Sequence, residues 1–148
     1  MDQTVYSKKK YGEMVKEISP QSHILANCLR AFSVGGTICV LGQLLTVLFV
    51  RGGLSIDDAR LLTSVTLIFV TVLLTGLGWY DKIGEHAGAG SFVPITGFAN
   101  SIAAPAVEFK KEGLVLGVGA KMFVIAGPVI VYGTMASVLV GLVYYFLK

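Results

Sequence analysis

Residues 87–107 carry the pattern on which the fold of this chain depends: AGAGSFVPITGFANSIAAPAV. The run contains 21 residues without Asp, Glu, Lys, Arg or His, and ~20 apolar residues cross a ~30 Å hydrocarbon core as a helix. Residues that break or weaken helices nevertheless recur through it, at Gly88, Gly90, Pro94, Gly97 and Pro105. Broken backbone is tolerated at membrane depth only where protein or a water-filled cavity surrounds it. The run therefore predicts either a re-entrant hairpin with its turn at Pro94 or a broken span that lines a cavity.

Three further runs of the chain lack charged residues and histidine. They cover residues 31–50, 61–80 and 122–147, with lengths of 20, 20 and 26 residues. Only 14% of the whole chain is charged, against about 25% in typical soluble domains. We therefore expect an all-α integral membrane protein with three to four transmembrane helices, a broken or re-entrant third segment and an N-terminal amphipathic interfacial helix.

The N-terminal residues predict a separate surface segment. Apolar residues recur there at helical spacing, at Tyr11, Met14, Val15 and Ile18. We expect residues 1–21 to form a cytoplasmic amphipathic segment on the membrane surface and residues 22–148 to form a single membrane domain. The first 20 residues carry seven charges and no apolar core, unlike a cleavable signal peptide. The basic cluster Lys8–Lys10 places the N-terminus in the cytoplasm, and nucleic-acid binding by it is not expected.

The first two long helices are predicted to form an antiparallel hairpin. Gly52 and Gly53 can end the first helix, and Ser55 can cap the second, ahead of two acidic residues. The first helix is expected from about residue 23 to 50 and the second from about 56 to 80. Trp79 and Tyr80 then fall at the membrane interface, where aromatic side chains are enriched.

The distribution of the 12 Lys and Arg residues bears on the path of the run 87–107. If the run is re-entrant, nine of them face the cytoplasm and three face outward. If the run crosses fully, the division is seven against five. Because cytoplasmic loops are enriched in Lys and Arg, this count favours the re-entrant hairpin.

Polar side chains inside the spans are candidates for a pathway through the membrane. The second helix places five such residues on one face: Arg60, Ser64, Thr71, Thr75 and Gly78. This stripe lines a polar pathway or packs against a neighbouring helix, since hydroxyls in such helices often bond to backbone carbonyls. Small residues of the first helix predict close helix packing, at Gly35, Cys39, Gly42 and Thr46. The Gln43 amide needs a partner in hydrocarbon, so it is expected to face a helix or water.

The broken run is the best candidate for a functional site. Interrupted helices present unpaired N–H groups and positive helix N-termini, which suit anions. Side-chain donors are added at four positions: Ser91, Thr96, Asn100 and Ser101. The alternative is a structural fold-back without a ligand. The flanking residues Asp81, Glu85, His86 and Glu108 either bind a cation or belong to solvated loops.

The residue pattern does not favour an enzyme. No serine lies in a GxSxG motif, and no paired acids lie within a span. Cys28 and Cys39 lie 11 residues apart, or roughly 16 Å along one helix, so they cannot form a disulfide with each other. No cofactor or metal site is predicted.

Five stretches of the chain resemble the SpoVA membrane proteins of spore-forming Firmicutes. They are AFSVGGTICVLGQ (31–43), LTGLGWYDKIG (74–84), AGAGSFVPITGFANS (87–101), EFKKEGLVLGV (108–118) and GPVIVYG (127–133). The resemblance covers roughly residues 22–147, and the hydrophilic N-terminal extension favours the longer type of member over the shorter AE type.

The resemblance implies a subunit of the spore (forespore) inner-membrane channel. That channel carries dipicolinic acid, chelated with calcium, into the developing spore and releases it at germination. The implied partners are the AE-type membrane subunit and the soluble AD-type protein, in an oligomer surrounded by membrane lipid. No catalytic residues accompany the family. The alternative is a scaffold subunit that assembles the channel without forming the pore.

The residues that we expect to contact a transported solute combine the broken run with the polar positions of the two helices before it. They are Gln43, Thr71, Thr75, Gly88, Gly90, Ser91, Pro94, Thr96, Asn100 and Ser101.

Overall fold

A computed structural model describes residues 10–15 and 23–147, and all regular secondary structure in these ranges is helical. The elements are α1 (Ile24–Arg51), α2 (Ile56–Gly76), α3 (Tyr80–Ala87), α4 (Ala89–Phe92), α5 (Ile95–Glu108), a 3₁₀ turn (Phe109–Glu112), a π-helical turn (Leu114–Gly119) and α6 (Ala120–Leu147). Residues 10–15 are helical and exposed, as the N-terminal amphipathic pattern predicts. Ile18 of that pattern lies outside the described residues.

Three stretches are long and apolar enough to cross a membrane: α1, α2 and Leu114–Leu147. The run 87–107 is broken into short helices, as its glycines and prolines predict. Its longest helix, α5, has 14 residues and measures about 21 Å, well short of a ~30 Å hydrocarbon core. The predicted class of all-α membrane protein with a broken third segment is confirmed.

Helices α1 and α2 form the predicted hairpin. Ser55 caps α2 by accepting a hydrogen bond from the backbone N–H of Asp58 at 3.2 Å. The two helices meet where the hydroxyls of Thr46 and Thr63 lie 2.9 Å apart. The predicted extension of the second helix to residue 80 is wrong, because α2 ends at Gly76 and Gly78 follows with a φ of +69°. Only glycine adopts that φ without strain, so the chain turns before Tyr80.

Helix α4 is pressed directly against α1. A Cβ atom added to Gly90 would overlap the Ala31 carbonyl oxygen and lie 2.8 Å from the Ala31 carbonyl carbon. Gly35 also faces Gly90, and Gly42 faces side chains of α2, so the predicted small-residue packing of α1 is confirmed at both glycines. Cys39 of the same stripe is exposed. Glycine at position 90 is therefore what allows two backbones to touch here.

Helix α5 runs antiparallel to α2. Thr96 bonds to Tyr80 just beyond the end of α2, Asn100 meets Thr75, and Ala106 lines a cavity with Ile68. The chain therefore advances along α2 instead of reversing at Pro94, which only separates α4 from α5. These directions favour the broken span over the re-entrant hairpin that the charge count favoured.

The chain reverses at the turns between α5 and α6. The Lys121 ammonium group lies 4.7 Å from the centre of the Phe109 ring, across this reversal. Met122 and Ala106 line one cavity, so α6 runs back along α5. From Pro128 to Leu147 every residue of α6 is exposed. The second half of α6 therefore leaves most of its side-chain surface uncovered in a single chain.

The contact of α4 with α1 predicts the effect of adding a side chain at Gly90. Gly90→Val should lower the free energy of unfolding by about 1–3 kcal/mol or more, since overpacking forces the two backbones apart. Thermal unfolding in detergent micelles, followed by circular dichroism, measures this. The matched control is Gly141→Val, because Gly141 has no heavy atom within 4 Å of an added Cβ. Equal melting temperatures for the two variants would contradict the packing described here.

Candidate functional site: a polar cleft beside a broken helix

The break between α4 and α5 is held by hydrogen bonds to the Ser91 carbonyl group. Tyr80 is 3% exposed, and its hydroxyl donates to the Ser91 carbonyl oxygen at 2.8 Å. Thr96 Oγ1 approaches the same oxygen at 3.5 Å. Ser91 is fully buried, and its own hydroxyl donates to the Gly88 carbonyl oxygen at 3.0 Å. The Tyr80 side chain thus satisfies the Ser91 carbonyl at the end of a short helix, while the Gly88 carbonyl also accepts the backbone N–H groups of Ser91 and Phe92.

Tyr80 is therefore buried within the protein. Burial raises the pKa of its hydroxyl, and the hydrogen bond with Thr96 partly offsets this. The hydroxyl stays protonated at neutral pH and can donate. The neighbouring Trp79 is 60% exposed, and its place at the membrane interface stays a prediction.

A second polar contact joins α2 to α5. Thr75 Oγ1 lies 2.8 Å from Asn100 Oδ1 and 2.8 Å from the Thr71 carbonyl oxygen. Thr75 is buried and Asn100 is half-buried. This contact orients α5, because the Asn100 amide would otherwise lack this partner in an apolar environment, whereas the Thr75 hydroxyl also reaches the Thr71 carbonyl oxygen.

A cleft of about 660 Å³ opens between α5 and α6. Four lining residues of α5 recur at helical spacing on one face: Gly97, Ser101, Pro105 and Glu108. Asn100 also borders the cleft, and Ile125 and Val129 of α6 form the opposite wall. The lining therefore combines an amide, a hydroxyl and a carboxylate with apolar side chains. Such a cleft can accommodate a small polar solute.

Gly97 shapes the mouth of this cleft. A Cβ atom at this position would overlap the carbonyl group of Phe92. Only glycine lets the start of α5 approach the end of α4 this closely. The bend that exposes Asn100 and Ser101 to the cleft therefore depends on position 97.

Thr71 and Thr96 border a different cavity. Its volume is about 360 Å³, and apolar residues of α1, α2 and α3 form most of its wall. Thr71 is 2% exposed and donates to the Leu67 carbonyl oxygen at 2.8 Å. Its hydroxyl is thus occupied within its own helix.

The predicted polar stripe of the second helix is only partly correct. The residues of α2 that are buried are Ala59, Thr63, Thr71 and Thr75. Arg60 and Ser64 are exposed although they share a face with Thr71 by helical spacing, because α5 meets α2 only along its second half, at Ile68, Val72 and Thr75. Gly78 is exposed beyond the end of α2. The buried threonines bond to backbone carbonyls or to neighbouring helices. Of the two predicted roles for these residues, a polar pathway or helix packing, this observation favours helix packing.

The structure separates the ten predicted solute contacts into groups. Asn100 and Ser101 share the α5–α6 cleft. Gly88, Gly90, Ser91, Pro94 and Thr96 build the break beside it. Gln43 is exposed on α1 and has no hydrogen-bond partner among the described residues, so it joins neither group.

Sequence reasoning missed three residues of this region as site residues: Tyr80, Gly97 and Glu108. Glu108 lies seven residues after Ser101, a spacing that places both on one helix face. Tyr80 carried no such signal, because an interfacial tyrosine and a buried one look alike in sequence.

The site supplies binding groups and no bond-making chemistry that we can identify in the described ranges. In residues 10–15 and 23–147, no group of three or more His, Cys, Asp or Glu side chains could hold a metal ion. Cys28 and Cys39 are both free and exposed, in agreement with the helical spacing that separates them.

Together, the fold and the cleft define an all-helical integral membrane protein in which a broken helix lies against two longer spans. Residues 27–143 match the family model described as SpoVAC/SpoVAEB sporulation membrane protein, and the chain belongs to this family. It is 48% identical, over 139 residues, to Stage V sporulation protein AC of Bacillus subtilis (strain 168), with 93% of each chain covered. No solved structure matches the chain. The resemblance to the SpoVA membrane proteins is confirmed, and the relative is of the longer type.

The contact between Thr75 and Asn100 predicts energetic coupling between α2 and α5. In a double-mutant cycle with Thr75→Val and Asn100→Leu, the coupling energy should be about 0.6 kcal/mol and at most about 1.7, the range for interhelical hydrogen bonds in membranes. Unfolding in mixed micelles measures it. The matched cycle pairs Ser64→Val with Asn100→Leu and should be additive, since Ser64 is exposed and bonds only to the Arg60 carbonyl oxygen. If the substitutions are additive in both cycles, the contact between Thr75 and Asn100 contributes no coupling energy, which contradicts this prediction.

Proposed function

We propose that this protein is a membrane subunit of the channel that carries dipicolinic acid, as its calcium chelate, across the spore inner membrane. The channel would load the forespore during sporulation and empty the spore during germination. Membership in a family of sporulation membrane proteins supports a role in sporulation. The substrate, the membrane and a cytoplasmic N-terminus are parts of the proposal.

The observation that carries the proposal is the polar cleft between α5 and α6. Its volume of about 660 Å³ lies within the range of small-molecule sites. Asn100, Ser101 and Glu108 border a largely apolar wall. The Ser101 hydroxyl donates to the Phe98 carbonyl oxygen at 2.8 Å and can still accept a hydrogen bond, and the Asn100 amide N–H groups and the Glu108 carboxylate are further hydrogen-bonding groups for a solute. Because broken backbone lies next to it, the cleft is where this fold departs most from a simple helical bundle.

A single chain does not enclose a pathway. The cleft is open along one side, and every residue of α6 from Pro128 to Leu147 is exposed. Further subunits are therefore part of the proposal, which includes an AE-type membrane protein and a soluble AD-type protein. The exposed Gln43 amide fits an oligomer as well, since it needs a partner in hydrocarbon.

The alternative is a scaffold subunit, and one observation favours it. The threonines of α2 are buried in helix contacts and bonded to carbonyl oxygens, as at Thr71 and Thr75. The buried threonines of α2 therefore offer no free hydroxyl donor to a solute. Within the proposal, this favours the α5–α6 cleft as the conduit.

Flux measurements on liposomes distinguish the two functions. The protein is reconstituted alone and with an AE-type partner, and calcium dipicolinate release is followed by terbium fluorescence. Ser101→Leu should lower the flux about tenfold, because a side chain that narrows the cleft need add only about 1.4 kcal/mol to the barrier. The matched control is Ser137→Leu, which makes the same change on the exposed half of α6.

Equal flux through Ser101→Leu and the control would show that the cleft is not the conduit. No flux with either composition, from protein that is folded and inserted, would favour the scaffold.

Aqueous accessibility gives an independent test of the cleft. In a background where Cys28 and Cys39 are replaced by Ser, a cysteine at position 101 should react with a charged thiol reagent, whereas one at position 71 should not, because Thr71 is buried. Reaction rates are measured in the reconstituted complex. A slow rate at both positions would contradict a water-filled cleft.

A further inference from the structure

A second polar cleft lies between the beginning of α1 and the α3–α4 connection. Its volume is about 400 Å³. Asn27 and Arg30 line it from α1, and Glu85 and His86 line it from α3. It shares no lining residue with the α5–α6 cleft, so it is a separate feature of the molecule.

The backbone fixes the two walls of this cleft relative to each other. Gly88 has a φ of +52° and redirects the chain between α3 and α4. Two residues later, Gly90 touches the backbone of Ala31, which is adjacent to Arg30. Helix α4 is thus held against α1 by a contact between backbones, next to the cleft.

The charged groups of the cleft are not paired with one another. Across the described ranges, the one ion pair joins Arg60 to Asp57 at 3.6 Å, at the start of α2. Arg30 and Glu85 line the same cleft without forming an ion pair. A guanidinium group and a carboxylate therefore face one space together, with the His86 imidazole beside them.

The cleft lies at the depth of the lipid headgroups. Arg30 immediately precedes the uncharged run 31–50, so it sits at one end of the apolar part of α1. The exposed Trp79 precedes α3, and tryptophan is enriched at the membrane interface. Apolar lining residues, among them Ile24 and Ala31, continue the cleft along α1.

We infer that this cleft binds the headgroup of a zwitterionic phospholipid with a primary amine, of the phosphatidylethanolamine class. The Arg30 guanidinium binds the phosphate, and Asn27 and His86 supply further N–H donors. The Glu85 carboxylate accepts hydrogen bonds from the ammonium group. The apolar side of the cleft along α1 contacts the first carbons of an acyl chain. Each charge in the cleft thereby gains an opposite charge.

Lipid binding to the full-length protein in detergent tests this inference. Native mass spectrometry measures the affinities of phosphatidylethanolamine, phosphatidylcholine and phosphatidylglycerol with identical acyl chains. We expect phosphatidylethanolamine to bind about tenfold more tightly than the other two, the size of one charge-assisted contact. Phosphatidylcholine carries a quaternary ammonium that cannot donate to Glu85, and phosphatidylglycerol carries no ammonium.

Variants of Glu85 and Arg30 test which group of the lipid each of these two charged residues binds. Glu85→Gln should abolish the preference for phosphatidylethanolamine over phosphatidylcholine and leave phosphate binding intact. Arg30→Gln should weaken all three lipids about tenfold, whereas Arg30→Lys should retain part of the affinity because the positive charge remains. The matched controls are Arg60→Gln and Asp57→Asn, which change the same kinds of charge at the start of α2.

Three results would overturn the inference. The first is equal affinity for the three lipids in the unmodified protein. The second is a loss in the Arg60→Gln control as large as that in Arg30→Gln. The third is binding of soluble phosphoethanolamine as tight as that of the lipid, which would make the cleft a site for a free metabolite.

Discussion

A carbonyl group that a helix break leaves without a backbone partner has no water to bond when it is buried inside the protein, and this constraint shapes the molecule. The Ser91 carbonyl oxygen meets it by accepting the Tyr80 hydroxyl at 2.8 Å. The Gly88 carbonyl oxygen accepts the backbone N–H groups of Ser91 and Phe92 as well as the Ser91 hydroxyl. These bonds make it possible for the chain to stop one helix and start another where Ser91 is fully buried. Without the Tyr80 hydroxyl, the Ser91 carbonyl would be a buried and unpaired polar group, at a cost of several kcal/mol.

The arrangement of α5 follows from that fixed break. Held at its beginning near Tyr80, α5 lies along α2 and meets Thr75 through Asn100. The opposite face of α5 then turns toward α6 and forms the cleft that Ser101 and Glu108 line. Packing on one side and a polar cleft on the other are thus two consequences of one helix position. This is why the cleft, and not the threonines of α2, is the candidate path for a solute.

The two glycine contacts of the region have different effects. Gly90 brings α4 onto α1, next to the cleft that Arg30 and Glu85 line. Gly97 brings the start of α5 onto the end of α4, which sets the bend beside the larger cleft. Each acts through the absence of a side chain at a backbone contact. The proposed solute pathway and the proposed lipid site therefore lie beside the same broken segment, but each depends on a different glycine contact.

Composition and periodicity were enough to predict the spans, the capped hairpin at Ser55 and the broken character of residues 87–107, because these features depend on local preference and on the length of apolar runs. They also marked Asn100 and Ser101, polar residues within an uncharged run. They could not place Tyr80 in the interior, distinguish the buried Thr71 from the exposed Ser64, or give the direction of α5. Those outcomes depend on which helix faces meet, and that is fixed by contacts between residues far apart in the chain, such as Thr75 with Asn100 and Ala31 with Gly90. The charge count favoured a re-entrant path because it weighs loops alone and contains no information about helix packing.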